Sequence, residues 1–256
     1  MEIEIDYTRQ AQDNAEEYFE RAKKAKKKYE GALESAAELE RKLESMKKEE
    51  ESRESTLKQK RAKAAEGEWY EKFYWFNTSG GYLAIGGRNA VQNEEINSKY
   101  FEKGDLFFHA DIYGGSVVIL KNGEAADLES KKQAAQYAAC FSRGWQSGLS
   151  TLDVYSLKRE QVSKSQDRGS LQTGGFAMSG EREWYKSMPL VLTVYFDKKL
   201  IVVPGEYQAK GGTETVILTP GNGKKTEAAK YISKKLGFED IDYIMAHIPT
   251  GPFYFK

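Results

Sequence analysis

Tyr82-Leu83-Ala84-Ile85-Gly86-Gly87-Arg88-Asn89-Ala90 carries the reading of the fold. Its first four residues predict a buried strand, the paired glycines a turn, and Asn89 the cap of a helix over residues 89–100. Moving outward, strand and hairpin signals follow over 106–110 and 116–120, with Gly114-Gly115 between them. Asn122-Gly123 turns the chain into a helix over 127–143, whose Ala134, Ala135, Ala138 and Ala139 offer a small-residue face for close packing. Further strands are predicted at 152–157, 176–178, 190–196, 200–203 and 215–218, and a last helix over 226–236 ends at Gly237. Strands and helices alternate irregularly, without a strict βαβ order, which predicts an α+β domain built on a mixed sheet.

The first 66 residues are a different material. Ala15, Tyr18, Ala22, Ala25, Tyr29, Ala32, Ala36, Leu39, Leu43 and Met46 fall at alternating steps of three and four, a heptad seam. The flanking Glu, Lys and Arg are good helix formers, so this stretch predicts a rod on the order of 50 Å. Alanine dominates the first half of the seam, so the rod gains little from burial. The period lapses over the charge-dense residues 47–53 and resumes from about Thr56, which predicts an antiparallel helical hairpin or coiled coil over 1–66. Arg21, Lys23, Lys24, Lys26, Lys27 and Lys28 stand off the seam, as a solvated face or as a contact for a phosphate backbone.

Beyond Gly67 lie all four tryptophans, eleven of the twelve phenylalanines, both histidines and all five prolines, so residues 67–256 are expected to form the globular domain. The 256 residues carry 39 basic and 39 acidic side chains, so overall charge predicts neither nucleic acid nor membrane as a partner. Mean hydropathy is −0.70, and no stretch approaches the roughly 20 apolar residues of a membrane span. The acidic, alternating Met1-Glu2-Ile3-Glu4-Ile5-Asp6 does not read as a signal peptide, and a single cysteine, Cys140, fits a reducing cytoplasm.

The chemistry-bearing residues are sparse. Gly86-Gly87-Arg88-Asn89-Ala90 sits between a strand and a helix, where backbone amides can receive a phosphate, although it matches no nucleotide fingerprint. His109 and Asp111 share one face of a strand and are two ligands short of a metal site; His247 is the only other histidine. The sequence therefore predicts a structural His109, no bound metal, no cofactor and no catalytic constellation, with Cys140 a buried inert thiol. Residues 154–182 interleave basic, amide and hydroxyl groups with glycines, a composition suited to phosphates and sugars.

Five motifs occur in order: Trp69-Tyr70-Glu71-Lys72-Phe73, the run Gly-Gly-Arg-Asn-Ala-Val-Gln-Asn-Glu over residues 86–94, His109-Ala110-Asp111 with Gly114, Gln161-Val162-Ser163-Lys164, and Thr173-Gly174-Gly175-Phe176. Together they closely resemble the NFACT-R domain of the NFACT family, ribosome-associated quality-control factors also described as fibronectin-binding-like proteins. Asp13-Asn14-Ala15-Glu16 followed by Tyr18-Phe19 is similar to the entry of that family's middle coiled coil, so nearly the whole chain is covered. The sequence departs from the family at Asn89, where aspartate is common. It also has no counterpart of the family's NFACT-N domain and helix-hairpin-helix segment, which carry an Asp-Arg pair associated with tRNA-dependent tailing.

The resemblance implies an RNA-binding module, archaeal in type, of a cytoplasmic non-enzymatic factor that engages stalled large ribosomal subunits carrying peptidyl-tRNA and recruits tRNA for C-terminal tailing. Its partners would be tRNA and rRNA of the large subunit, the NFACT-N portion of the family, and a coiled-coil partner or a second copy, with no membrane. The expected RNA contacts are Arg88, Asn93, His109, Asp111, Lys121, Arg159, Gln161, Lys164, Arg168, Thr173 and Arg182. The charge balance is awkward for an isolated binder, because residues 1–66 carry 16 basic and 17 acidic side chains and 67–256 carry 23 and 22. Weak affinity made useful by avidity reconciles the two. A coiled-coil adaptor or fibronectin-binding-like protein is the alternative, and a metal hydrolase on His109 and Asp111 comes last.

Overall fold

The computed structural model describes residues 4–65, 67–163, 165–166, 169–170, 175–209 and 212–256, with 49–65, 165–166 and 169–170 described by backbone alone. The chain divides into two compact units, residues 1–67 and 68–256.

The first unit is one helix, α1 (Ala11–Ala65), and this corrects the expected hairpin. No glycine or proline falls between Ala32 and Glu66, and the charge-dense stretch is made of residues that favour helix. Charge density suggested a turn; helix propensity carried the chain straight through it. Ion pairs at one-turn spacing, Arg21 with Glu17 at 2.7 Å and Lys48 with Glu44 at 3.0 Å, add local support. The seam residues Tyr29, Leu39, Leu43 and Met46 are exposed along the rod.

The second unit is α+β, with two principal sheets. The larger runs in the order β1 (Tyr74–Asn77), β2 (Leu83–Gly86), β4 (Val117–Leu120), β3 (Leu106–Ala110), β5 (Thr151–Lys158) and β10 (Glu183–Pro189). All its pairings are antiparallel, where a mixed sheet was expected, because the helical crossovers from β2 to β3 and from β4 to β5 each skip one strand, which pairs antiparallel with both. Between β5 and β10 come four two-residue strands, β6 (Val162–Ser163) paired with β9 (Ala177–Met178), and β7 (Ser165–Gln166) paired with β8 (Gly169–Ser170). The smaller sheet runs β12 (Lys199–Pro204), β11 (Leu192–Asp197), β13 (Thr215–Gly223) and β14 (Phe253–Phe255), again antiparallel.

Both faces of the larger sheet are covered, which explains why β3 reads as an unbroken apolar run rather than an alternating one. Phe108, with Val118 and Val154, belongs to the main core, where α3 (Leu128–Cys140) lies on the sheet. Phe107, with Ile85, Ile119 and Leu157, belongs to a second cluster that includes Ile96 of α2 (Ala90–Lys99). The alanines of α3 at 134, 135, 138 and 139 are fully buried, so the small-residue face does bring that helix close. Asn89 caps α2 as expected, its side-chain oxygen accepting from the Gln92 amide at 2.9 Å. The helix predicted over 127–143 breaks after Cys140 and restarts as the single turn α4 (Arg143–Gln146), with Ser142 capping it. Two further helices close the unit: α5 (Lys225–Leu236), ended by Gly237 in the left-handed region at φ 66°, and α6 (Ile241–His247).

Candidate nucleic-acid interface

The turn from β2 into α2, the β3–β4 loop and the start of α4 surround an open cleft of about 650 Å³. Its lining includes Arg88, Asn89 and Asn93 from the first, Tyr113 to Ser116 from the second, Arg143 and Gln146 from the third, and His109 of β3. Two glycines make the walls thin. A Cβ on Gly87 would collide with the Asn93 carboxamide, and one on Gly114, whose φ is +74°, would meet Arg143 Cδ and Nε at 2.9 Å.

Arg88 enters the cleft half-buried. Its Nη2 donates to the Phe73 carbonyl at 3.1 Å, to the Glu71 carbonyl at 3.3 Å and to His247 Nε2 at 2.8 Å, while its buried Nε has no partner among the described residues. No carboxylate pairs with Arg88 among the described residues, and burial lowers its pKa from the ordinary value. Lys225 is nearby in the same cationic surroundings, donating to the Ile248 carbonyl at 3.0 Å, and burial followed by the charge of Arg88 brings it down to about 8. The Oδ1 of Asn93 and the Oγ of Ser116 are also buried without hydrogen-bond partners among the described residues. His109 sits with Nδ1 3.3 Å from the Tyr155 hydroxyl, and burial depresses its pKa, so the ring is neutral near pH 7.

Next to the cleft, along the face shared by β3, β5 and β10, cations lie on aromatic rings. The Arg182 guanidinium is 4.3 Å from the centroid of Tyr155, and Lys186 Nζ is 4.1 Å from that of Trp184. Trp184 packs edge-on to Tyr155 with centroids 5.3 Å apart and remains 39% exposed. Lys186 also pairs with Asp153 at 2.9 Å, whereas Arg182 has no carboxylate partner among the described residues.

The sequence-predicted residues divide into three groups. Arg88, Asn93 and His109 come together in the cleft, with Asp111 at the end of the same strand and Arg182 on the adjoining face. Lys121, Arg159 and Gln161 are outside the cleft lining and are engaged in holding the fold. Lys121 donates to Asp105 at 2.6 Å, Glu102 at 2.8 Å and the Tyr100 carbonyl at 2.7 Å. Arg159 donates to the carbonyls of Phe101 and Val162, and Gln161 to those of Ser179 and Glu181. Lys164, Arg168 and Thr173 lie outside the described residues. Sequence reasoning missed Tyr113, Ser116 and Arg143, which had read as hairpin and helix end. It also missed Trp184 and Lys186, although Arg182, Trp184 and Lys186 alternate at strand spacing and so share one face.

Cys140 is fully buried with its Sγ 3.5 Å from the Val191 carbonyl, and burial raises the thiol pKa far above its usual value. Its burial is as expected. Among the described residues no group of three or more His, Cys, Asp or Glu converges as a metal site, and no helix is long and apolar enough to cross a membrane.

The comparisons with known proteins fall on this same region. Residues 72–180 match the family model described as the NFACT protein RNA binding domain. The archaeal Rqc2 homolog aRqcH of Methanocaldococcus jannaschii is 37% identical over 204 residues, covering 76% of this chain and 30% of that protein. The ribosome quality control complex subunit NEMF of Homo sapiens is 35% identical over 137 residues, covering 52% of this chain and 13% of its own. The C-terminal part of the fibronectin/fibrinogen-binding protein from Streptococcus suis is a similar solved structure, at 25% identity and a TM-score of 0.40 over 46% of this chain and 45% of that one. The matched segment, residues 72–180, is an RNA-binding domain of the NFACT type. The chain carries that domain and is similar to the archaeal relative beyond it, spanning under a third of that protein's length.

Proposed function

We propose that this protein is the RNA- and ribosome-binding part of a ribosome-associated quality-control factor. On this reading it acts in the cytoplasm on stalled large subunits that carry peptidyl-tRNA, touches tRNA and rRNA, and helps to recruit tRNA for C-terminal tailing. Relatives named as ribosome quality control subunits and the matched RNA-binding domain support it. The structural observation that carries it is the set of stacked cations and rings on β5 and β10. Arg182, with no carboxylate partner among the described residues, lies over Tyr155 beside an exposed Trp184 and offers both a phosphate contact and a stacking platform for an unpaired base. Such a surface binds weakly on its own, in keeping with a chain of zero net charge, and gains from avidity with the NFACT-N portion of the family. The test is co-sedimentation with large ribosomal subunits: the expected result is binding that nuclease treatment abolishes, and binding indifferent to nuclease would count against it.

The exposed seam of α1 favours a second reading, a coiled-coil adaptor whose helix pairs with another chain or a second copy. Co-sedimentation lost on Leu39→Asp but retained in Arg182→Ala would move the assignment there.

A further inference from the structure

We infer that the cleft between the β2–α2 turn and the β3–β4 loop is a binding pocket for one unstacked nucleotide, holding its phosphate against Arg88, Arg143 and Ser116 and its base against Tyr113. The inference deepens the RNA-binding reading, on which it rests, by naming what this cleft recognises.

Three features single out this ligand. First, the cleft is unfinished. Ser116 is only 6% exposed, lines the cleft, and its Oγ has no hydrogen-bond partner among the described residues; the Nε of the half-buried Arg88 and the Oδ1 of the half-buried Asn93 are buried atoms that likewise have none. A buried polar atom without a partner costs free energy that a native fold normally avoids, so three at one place mark groups awaiting a ligand. Second, the lining is suited to an anion. Among the described residues it contains two arginines and no aspartate or glutamate, and it includes the N-terminal turn of α2, whose first turn carries no acidic residue. Gly87 and Gly114 allow that backbone to come close. Third, the unpaired groups differ in kind. Arg88 Nε donates and suits a phosphate oxygen, Ser116 Oγ can do either, and Asn93 Oδ1 accepts, which suits an N–H or hydroxyl of a base or ribose rather than a second phosphate oxygen. Tyr113 stands at the rim, 87% exposed, with the Arg143 guanidinium 5.5 Å from its ring centroid, and it gives a flat surface for a base. A volume of about 650 Å³ lies within the range of sites that take small molecules of this size.

The phosphate and base can come from a free nucleoside monophosphate or from a single strand of RNA, and the arms of one experiment separate them. Fluorescence anisotropy would follow a labelled eight-nucleotide single strand and the same sequence as a duplex, each on the full chain, with AMP and inorganic phosphate as competitors. The variants are Arg143→Gln, Ser116→Ala and Tyr113→Ala; Arg143 and Tyr113 are exposed and Ser116→Ala removes one atom, so circular dichroism is expected to show all three folded. A nucleotide in the cleft predicts that Arg143→Gln weakens the single strand by about ten-fold, the loss of one charge-assisted hydrogen bond. It also predicts preference for single strand over duplex, and competition by AMP beyond that of equimolar phosphate. Strand binding unchanged in all three variants would overturn the pocket while leaving the RNA-binding reading intact. Absence of any RNA binding, with AMP still bound and released by Arg143→Gln, would keep the pocket and sink the RNA reading.

Discussion

Arg88 donates through Nη2 to Nε2 of His247 at 2.8 Å, joining the turn after β2 to the end of α6 across 159 residues of sequence. The bond fixes the tautomer of the histidine. Its Nδ1 lies 2.7 Å from the Tyr243 carbonyl and must carry the proton, which leaves Nε2 as the acceptor that a guanidinium requires. Protonating Nε2 would face one cation with another, so burial and then Arg88 bring the His247 pKa down from 6.5 to about 4.

Stability should therefore depend on pH through His247. Between about pH 6.5 and pH 4 the unfolded chain binds a proton that the folded chain refuses, so stability falls as the pH falls through that window. A shift of that size is worth roughly 3 kcal/mol in total. Urea denaturation from pH 7 to pH 4 should show this loss, and His247→Gln, whose amide oxygen can still accept from Arg88, should flatten the slope. The half-buried His109 is shifted in the same direction, so the difference between the two proteins is the quantity to measure. An unchanged slope in His247→Gln would refute the assignment.

Lys121 gives the converse case of a predicted RNA contact whose charge is already spent. Its ammonium pairs with Asp105, which is 2% exposed and depends on it for neutralisation. Lys121→Ala should destabilise the globular unit by on the order of 3 kcal/mol, because it strands a buried carboxylate. The backbone amides of Glu102 and Asn122 that also bond Asp105 limit the loss. RNA affinity per folded molecule should be unchanged. A stable variant with weakened RNA binding would reverse the assignment.

The seam of α1 gives a prediction altered by the fold. One buried leucine in a hairpin would be worth roughly 2 to 3 kcal/mol, but Leu39 is 62% exposed on a lone helix. Leu39→Asp should leave the near-ultraviolet circular dichroism and melting of the globular unit unchanged, and lower the helical signal only by the small propensity difference. A large loss of cooperativity in the variant would mean that the seam is covered in solution.

These cases show what the sequence could carry. Local rules found the Asn89 cap, the glycine stop of α5, the alanine face of α3 and most strands of the two sheets, because each depends on neighbours within a few positions. The hairpin does not form because a lapse in hydrophobic period makes no turn by itself; glycine, proline or a cap would be needed, and residues 47–53 contain no glycine or proline. Edge strands such as β10 were missed for a related reason: Trp184, Lys186 and their neighbours alternate, but Ser187 and Pro189 dilute the signal. The cleft was half legible. Arg88, Asn93 and His109 lie in motifs, whereas Arg143 and Ser116 join them only through tertiary packing. Lys121, Arg159 and Gln161 look like ligand contacts in sequence, since nothing local reveals that Asp105, Phe101 or Ser179 already takes their hydrogen bonds.

The remaining prediction separates charge from stacking on the face of β5 and β10. Every phosphate neutralised releases condensed counterions, so log affinity for single strands falls with log salt by about 0.7 per contact. Arg182 has no competing carboxylate among the described residues, so Arg182→Ala should weaken binding of a single-stranded RNA and reduce that slope by about one contact. Trp184 carries no charge. Its replacement by alanine should cost about 1 to 3 kcal/mol of affinity, the worth of one stacked base, and leave the slope where it was. Lys186, shared with Asp153, should show a smaller effect on the slope than Arg182. Anisotropy titrations at four salt concentrations distinguish these outcomes: parallel lines for Trp184→Ala and a shallower line for Arg182→Ala are expected. Equal changes of slope in both, or in neither, would place the RNA on another face of the domain.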